Sequence, residues 1–181
     1  ITAAKEASKA WRRTTQKQRV ALIEEIAQRL EARAEEFAKI EALDTGNTVG
    51  PMTNDVHKAV ERMRFYCGLA YELKGMTVPS TPENIHLTLR EPYGVVGRII
   101  PFNHPIGFAA SRIAPALIAG NTIVVKPSEQ APLSASLLAE ICAEVAPPGI
   151  INIVTGDRVT GEVLVRDPRV KRIAFIGSVA S

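Results

Sequence analysis

Apolar residues recur every third or fourth position in the first third of the chain and gather into short unbroken runs after it. In the first third, Leu22, Ile23, Ile26, Leu30, Phe37 and Ile40 share one helical face with charge opposite, which predicts an amphipathic helix from Thr15 to about Leu43. Thr15 and Gln18 have the spacing of a capping box at its start, and Gly46-Asn47 ends it. An alanine- and lysine-rich stretch around Trp11 predicts a helix over residues 1–12. Another starts at Pro51, with Val56, Val60, Met63, Cys67, Ala70 and Leu73 on one face. Pro79 to Asn84 reads as a loop, and His86–Arg90 alternates as an exposed strand would.

After Pro92 the rhythm changes. Val95–Ile100, Thr122–Lys126 and Ile150–Val154 are short, β-branched runs that predict buried strands, and Val170–Ile176 predicts a fourth. Between them lie helices expected at Pro105–Ala119, Ala131–Val145 and, more briefly, Gly161–Val165. Pro115 falls inside the first and should kink it or mark its last turn. Strand and helix thus alternate four times, the pattern of a doubly wound sheet with parallel strands. The expected class is α/β: an open parallel Rossmann-like sheet, four strands of it present, under an amino-terminal helical layer. Residues 1–90 are the helical region plus the start of an extended strand. Residues 91–181 are the α/β region, which is incomplete, and the two together are expected to make one domain. The sequence stops at Ser181, where a helix is due, and Ile1 is not an initiator residue, so a piece of a longer chain is expected.

Composition removes several classes. With 181 residues the chain is long enough for one domain and its core. The net charge is +3 with acids and bases interspersed, so no basic stripe points to nucleic acid. No apolar run reaches the ~18 residues of a membrane span, and no signal peptide is visible. Cys67 and Cys142 lie far apart in helical patterns, which suggests core thiols and neither a disulfide nor a metal site. The expected location is cytoplasmic.

Ligands of open parallel sheets gather beyond the carboxyl ends of the strands. Two polar clusters fall there: Asn103-His104 and Lys126-Pro127-Ser128-Glu129. Asn103, between two prolines, is either a turn former or a side-chain donor to a developing oxyanion. Lys126 is either a solvated strand end or, with Glu129, a grip on the hydroxyls of a sugar. Gly156 and Gly161 have the spacing of a phosphate loop, but Glu162-Val163 stands where lysine and a hydroxyl are needed. Gly94 and Gly97 lie inside a strand and make no dinucleotide fingerprint. His57 and His104 have no partners at metal-ligand spacing.

In order and spacing, Glu91-Pro-Tyr-Gly-Val-Val-Gly, Pro101-Phe-Asn-His-Pro105, Pro115-Ala-Leu, Gly120-Asn121, Val125-Lys-Pro-Ser-Glu129, Pro148-Gly149, Gly161 and Phe175-Ile-Gly-Ser178 resemble the aldehyde dehydrogenase superfamily. Asp44-Thr45-Gly46 is similar to the end of that family's amino-terminal helical region, and the resemblance covers essentially the whole chain. It implies an NAD(P)-dependent oxidation of an aldehyde to an acid, through a thiohemiacetal and a thioester on a cysteine, with residues 91–181 as an incomplete dinucleotide-binding region and residues 1–90 and 91–181 together as one cofactor-binding domain. Asn103 would stabilise the oxyanion. Ile99, Ile100, Pro101 and Phe102 would line the cofactor. Lys126 and Glu129 would hold its adenosine ribose, with Ser128 in the same binding set. Gly161 would lie beside the adenine end, and Gly177 and Ser178 would meet the pyrophosphate. Glu129 favours NAD over NADP, since a carboxylate repels a 2′-phosphate. The family's nucleophilic cysteine and general-base glutamate both fall outside this sequence, so the 181-residue chain alone should be inactive. The sequence departs from the family at Ile176, usually threonine, and at Val179-Ala180, usually a Thr-Glu pair; Phe102 is a variant of its tryptophan. A homo-oligomer, dimer or tetramer, is implied for the whole protein. Two other readings share the sheet: a reductase of acyl phosphates or acyl thioesters, and a non-catalytic relative.

Overall fold

The computed structural model describes residues 1–178. Four helices come first: α1 (Thr2–Trp11), α2 (Gln16–Ala32), α3 (Ala34–Thr45) and α4 (Val49–Gly68). A short 3₁₀ turn at Ala70–Glu72 leads to a hairpin of β1 (Thr77–Thr81) and β2 (Asn84–Leu87). The remainder alternates: β3 (Val95–Ile99), α5 (Pro105–Ile118), β4 (Thr122–Lys126), α6 (Leu133–Val145), β5 (Ile151–Ile153), α7 (Arg158–Arg166) and β6 (Val170–Phe175). The last four strands form one parallel sheet in the order β5-β4-β3-β6. This is the expected α/β architecture.

The two faces of the sheet bury different clusters. Alternation sends Val96, Ile123 and Val125 into a large core with Ile26, Leu30, Phe37, Val60 and Met63 of the amino-terminal helices, Ile106 and Ile113 of α5 and Leu138 of α6. Val95 and Val124 point the other way, where they meet Ala4 of α1 and Leu164 of α7. Gly97 sets the depth of that second contact. A Cβ there would come within 2.5 Å of the Ile173 side chain and 3.2 Å of Leu164, so its absence lets α7 lie close on the strands. Each fully buried large apolar side chain removed from water contributes roughly 2 kcal/mol before entropy is counted, so the larger core dominates.

Local signals explain most boundaries. Thr15 caps α2 with both halves of the capping box formed. Gly46 ends α3 at φ 76°, the left-handed region glycine occupies freely. Pro105 occupies the first turn of α5, where its missing N–H costs nothing. Pro115 lies inside α5, as expected.

Several expectations are corrected. The helix predicted from Thr15 to Leu43 is two helices, because Arg33 leaves helical geometry at φ −106°, ψ 18°. The loop predicted at Pro79–Asn84 is mostly strand, and the strand predicted at His86–Arg90 is centred earlier, at Asn84–Leu87. Proline is admissible in β1 because a two-stranded hairpin has only edge strands. Helix α7 starts before Gly161, since Asp157 caps it by accepting from the N–H groups of Val159 and Thr160. Helix α4 starts two residues before Pro51. β5 and β6 are less buried than the central strands because they form the sheet's edges.

Candidate functional site

Register brings three strand ends together. Ile99 of β3 pairs with Lys126 of β4 on one side and with Phe175 of β6 on the other. The ladder runs one bond further: Ile100 N–H donates to the Lys126 carbonyl and Ile176 N–H to the Ile99 carbonyl. The chain segments Ile99–Phe102, Lys126–Glu129 and Ile176–Ser178 therefore leave the sheet at one edge. Phe102, Gly177 and Ser178 are exposed there, while Ile100 is buried and Pro101 half-buried.

Lys126 is not a solvated strand end. It is 4% exposed, yet its ammonium is satisfied, donating to the Pro127 carbonyl at 3.1 Å and to Glu129 Oε2 at 3.3 Å. Its own backbone N–H and Lys126 together hold the exposed Glu129 carboxyl below its ordinary range. Ser128 faces the other way in function: its hydroxyl accepts from the Gln130 N–H and closes the turn. Gly161 lies above the pair of strand ends. A Cβ on it would stand 3.9 Å from both Ile99 Cδ1 and Lys126 Cδ. Gly161 of α7 therefore packs close on the ends of β3 and β4, beside a cation and a carboxylate. Those groups fit an adenosine ribose: the carboxylate accepts from a diol, and the glycine face admits a flat ring.

Asn103 is exposed in the loop between β3 and α5. Its side chain makes no hydrogen bond among the described residues, and its carbonyl accepts from Asn47 Nδ2 at 3.3 Å. The loop is tied down from α3 and α4. His104 Nδ1 lies 2.5 Å from Asp55 Oδ2. Glu41, fully buried, accepts at one oxygen from the Ile106 N–H at 2.5 Å and from the Ser134 hydroxyl at 2.7 Å. Burial pushes the Glu41 carboxyl up from 4.5 to about 7, and those two bonds only partly oppose it. One turn on, Asp44 accepts from the Leu133 N–H and so serves the start of α6.

Sequence reasoning missed Glu41 and the His104–Asp55 pair. A signal for Glu41 existed: it occupies the apolar stripe of its helix, four residues after Phe37. For Asp55 none did. Cys67 and Cys142 are buried, and desolvation pushes both thiols up to about 12, so they stay protonated. Among the described residues no three His, Cys, Asp or Glu side chains gather as a metal site would require. No described helix is long and apolar enough to cross a membrane. Two concavities on the helical layer, one lined by Glu31, His57 and Arg64 and one by Arg33, Glu36 and Lys39, include none of the strand-edge residues. Val179-Ala180 lies outside the described residues.

The family model described as the aldehyde dehydrogenase family matches residues 1–181. The chain belongs to that family. Aldehyde dehydrogenase tropH of Talaromyces stipitatus is 39% identical over 184 residues, which cover 100% of this chain and 36% of the relative. Acetaldehyde dehydrogenase of Pseudomonas aeruginosa is 38% identical over 180 residues, covering 98% and 36%. Among solved structures, the NAD-dependent aldehyde dehydrogenase of Sinorhizobium meliloti matches with a TM-score of 0.94 at 36% identity, over 99% of this chain and 37% of that one. The NAD⁺ complex of an aldehyde dehydrogenase from Bacillus cereus matches equally well, at 0.94 and 35% identity, over 99% and 38%. The chain thus spans 36% of the length of the curated aldehyde dehydrogenases it matches.

Proposed function

We propose that this chain is the cofactor-binding part of a longer NAD-dependent aldehyde dehydrogenase that oxidises an aldehyde to a carboxylic acid. The observation that carries the reading is Lys126: a buried lysine at a strand end, held against the exposed carboxylate of Glu129, with Gly161 of α7 packed beside it. In this reading residues 1–90 and 91–181 make one cofactor-binding domain. Lys126 and Glu129 grip the adenosine ribose, Ile99 to Phe102 line the cofactor, and Gly161, Gly177 and Ser178 admit its adenine and pyrophosphate. The structure of the related Bacillus cereus enzyme with NAD⁺ supports the choice of cofactor.

NAD, when bound, supplies a hydride acceptor. The residues of this chain position and stabilise. The Asn103 amide, without a partner among the described residues, donates to the aldehyde oxygen as negative charge develops on it, a contribution of ~3 kcal/mol in comparable sites. Neither thiol of the chain suits the nucleophile, since an attacking cysteine must reach its thiolate and both of these are held protonated by burial. The reading therefore assigns the nucleophile to another part of the polypeptide. It also assigns a homo-oligomer, supported by the exposed apolar side chains Val78, Ile85, Leu87 and Leu89 on and after the hairpin.

The test is a fluorescence titration of the full-length protein with NADH, beside an aldehyde-oxidation assay that follows NADH formation. Saturable binding that Lys126→Met abolishes, with aldehyde-dependent NADH formation, is expected. Absence of saturable binding would overturn the cofactor role. Binding without aldehyde oxidation would overturn the enzyme.

A further inference from the structure

The loop carrying Asn103 has little of its own to hold it. It runs from Pro101 to His104, exposed for most of its length. His104 stands at the N-cap of α5 but makes no side-chain cap bond, and Pro105 has no N–H to offer. The start of α5 is instead closed from a distance, by Glu41 on α3. Where α5 begins fixes where Asn103 points, because Pro101 and Pro105 restrict the chain on either side.

We propose that Glu41 is a positioning residue for Asn103, acting through the first turn of α5. This rests on the reading of Asn103 as the donor to the aldehyde oxygen. Three features single out Glu41 from the other anchors. It is fully buried, so no water competes for its bonds. One oxygen joins α5 to α6, through the Ile106 N–H and the Ser134 hydroxyl, and so fixes the helix against a second element. Its other oxygen has no partner among the described residues, so the bonding it does is spent at the start of α5 and on Ser134. A carboxylate at a helix N-terminus also meets the positive end of the backbone dipoles. The other two anchors lie at the surface: Asn47 is exposed, and His104 is half exposed in its pair with Asp55.

The test is a double-mutant cycle in the full-length enzyme: wild type, Glu41→Gln, Asn103→Ala and both together. Glutamine keeps the shape and the acceptor oxygen and removes the charge. Glu41→Gln is expected to lower kcat about tenfold, a displacement of well under 1 Å being sufficient. The aldehyde KM and the NADH affinity should stay within about twofold, since neither site is touched. In the Asn103→Ala background the same substitution should have no further effect, because the group it positions is gone. A purely structural role would lower kcat equally in both backgrounds, and that additivity would overturn the proposal, as would an unchanged kcat in Glu41→Gln. If Asn103→Ala alone leaves kcat unchanged, the oxyanion reading fails and this proposal with it, a pattern distinct from additivity. Should Glu41→Gln not fold, Ser134→Ala removes one donor from the same carboxylate and should show a smaller loss of kcat, again absent without Asn103. Equal losses in both backgrounds would overturn the proposal there too.

Discussion

Lys126 Nζ lies 3.3 Å from Glu129 Oε2, although the lysine side chain is 6% exposed and the glutamate 57%. The contact is a gradient from core to solvent. The lysine is covered through to its ammonium, whose bond to the Pro127 carbonyl is itself buried. The carboxylate is free to turn toward a ligand while the ammonium is not. The two therefore differ in what their loss should do.

Removing the charge of Glu129 should change which cofactor is used more than how well NAD is used. Glu129→Gln keeps an oxygen that accepts from a ribose hydroxyl and removes the repulsion of a 2′-phosphate. The KM for NADP should fall about tenfold in the full-length enzyme, and that for NAD should rise by no more than about threefold. Steady-state kinetics with both cofactors check this. An unchanged NADP-to-NAD ratio would place the ribose elsewhere. Lys126→Met should abolish saturable binding of both cofactors alike.

Gly161 lies inside α7, where alanine is the better helix former by about 1 kcal/mol. The Cβ has room in the protein itself, at 3.9 Å from Ile99 and Lys126. Gly161→Ala should therefore stabilise the unliganded protein slightly. If the adenine end of the cofactor packs on that face, the same methyl group should weaken NADH binding. Thermal unfolding and a fluorescence titration on one sample give the two signs. A rise in stability with unchanged affinity would remove Gly161 from the site.

Arg19 offers a prediction about the fold. It is buried without a carboxylate, and desolvation lowers its pKa. Its guanidinium instead donates to the carbonyls of Ile118, Trp11 and Arg12 and to the Thr14 hydroxyl. Gly120 leaves the space for it: a Cβ there would sit 2.9 Å from both terminal guanidinium nitrogens. Arg19→Met should cost about 3 kcal/mol by stranding those acceptors. Gly120→Ala should also destabilise, through that clash and its φ of 79°. Thermal melts of the full-length variants check both, and an unaltered melting temperature would sink the account.

Elements with local punctuation were legible in the sequence. Thr122–Lys126 is bounded by Gly120 before it and Pro127 after it, and both its limits are those expected. The capping box at Thr15 and Gln18 is equally local. The break at Arg33 was not legible, because the buried positions Leu30, Ala34, Phe37, Ala38 and Glu41 keep helical spacing straight across it. The hairpin was half legible: alternation showed an exposed strand near β2, displaced toward Arg90, but β1 was read as a loop, because every residue of both strands faces water and no burial pattern sets their limits. For the site, the strand-end residues could be read because sheet topology places them. The anchor of the loop could not, because Glu41 and Ile106 are 65 positions apart and periodicity carries no information about partners.

Glu41 should also mark the pH dependence of stability. Its folded pKa is about 7 against an ordinary 4.5, so the folded protein holds a proton that the unfolded chain releases first. Between those values the folded state binds more protons than the unfolded one, and stability falls as pH rises. The contribution is fully present below about pH 4.5, is lost as the pH climbs to about 7, and is constant above that. A shift of this size corresponds to about 3 kcal/mol. Glutamine does not titrate. The stability of wild type relative to Glu41→Gln should therefore decline over that window and then level. Infrared difference spectra, wild type minus variant, report the group directly: a carboxylic-acid band present at pH 5 should vanish with a midpoint near 7. A midpoint near 4.5 would mean that water reaches the carboxylate, and that Glu41 does not close the start of α5 in the dry setting described above.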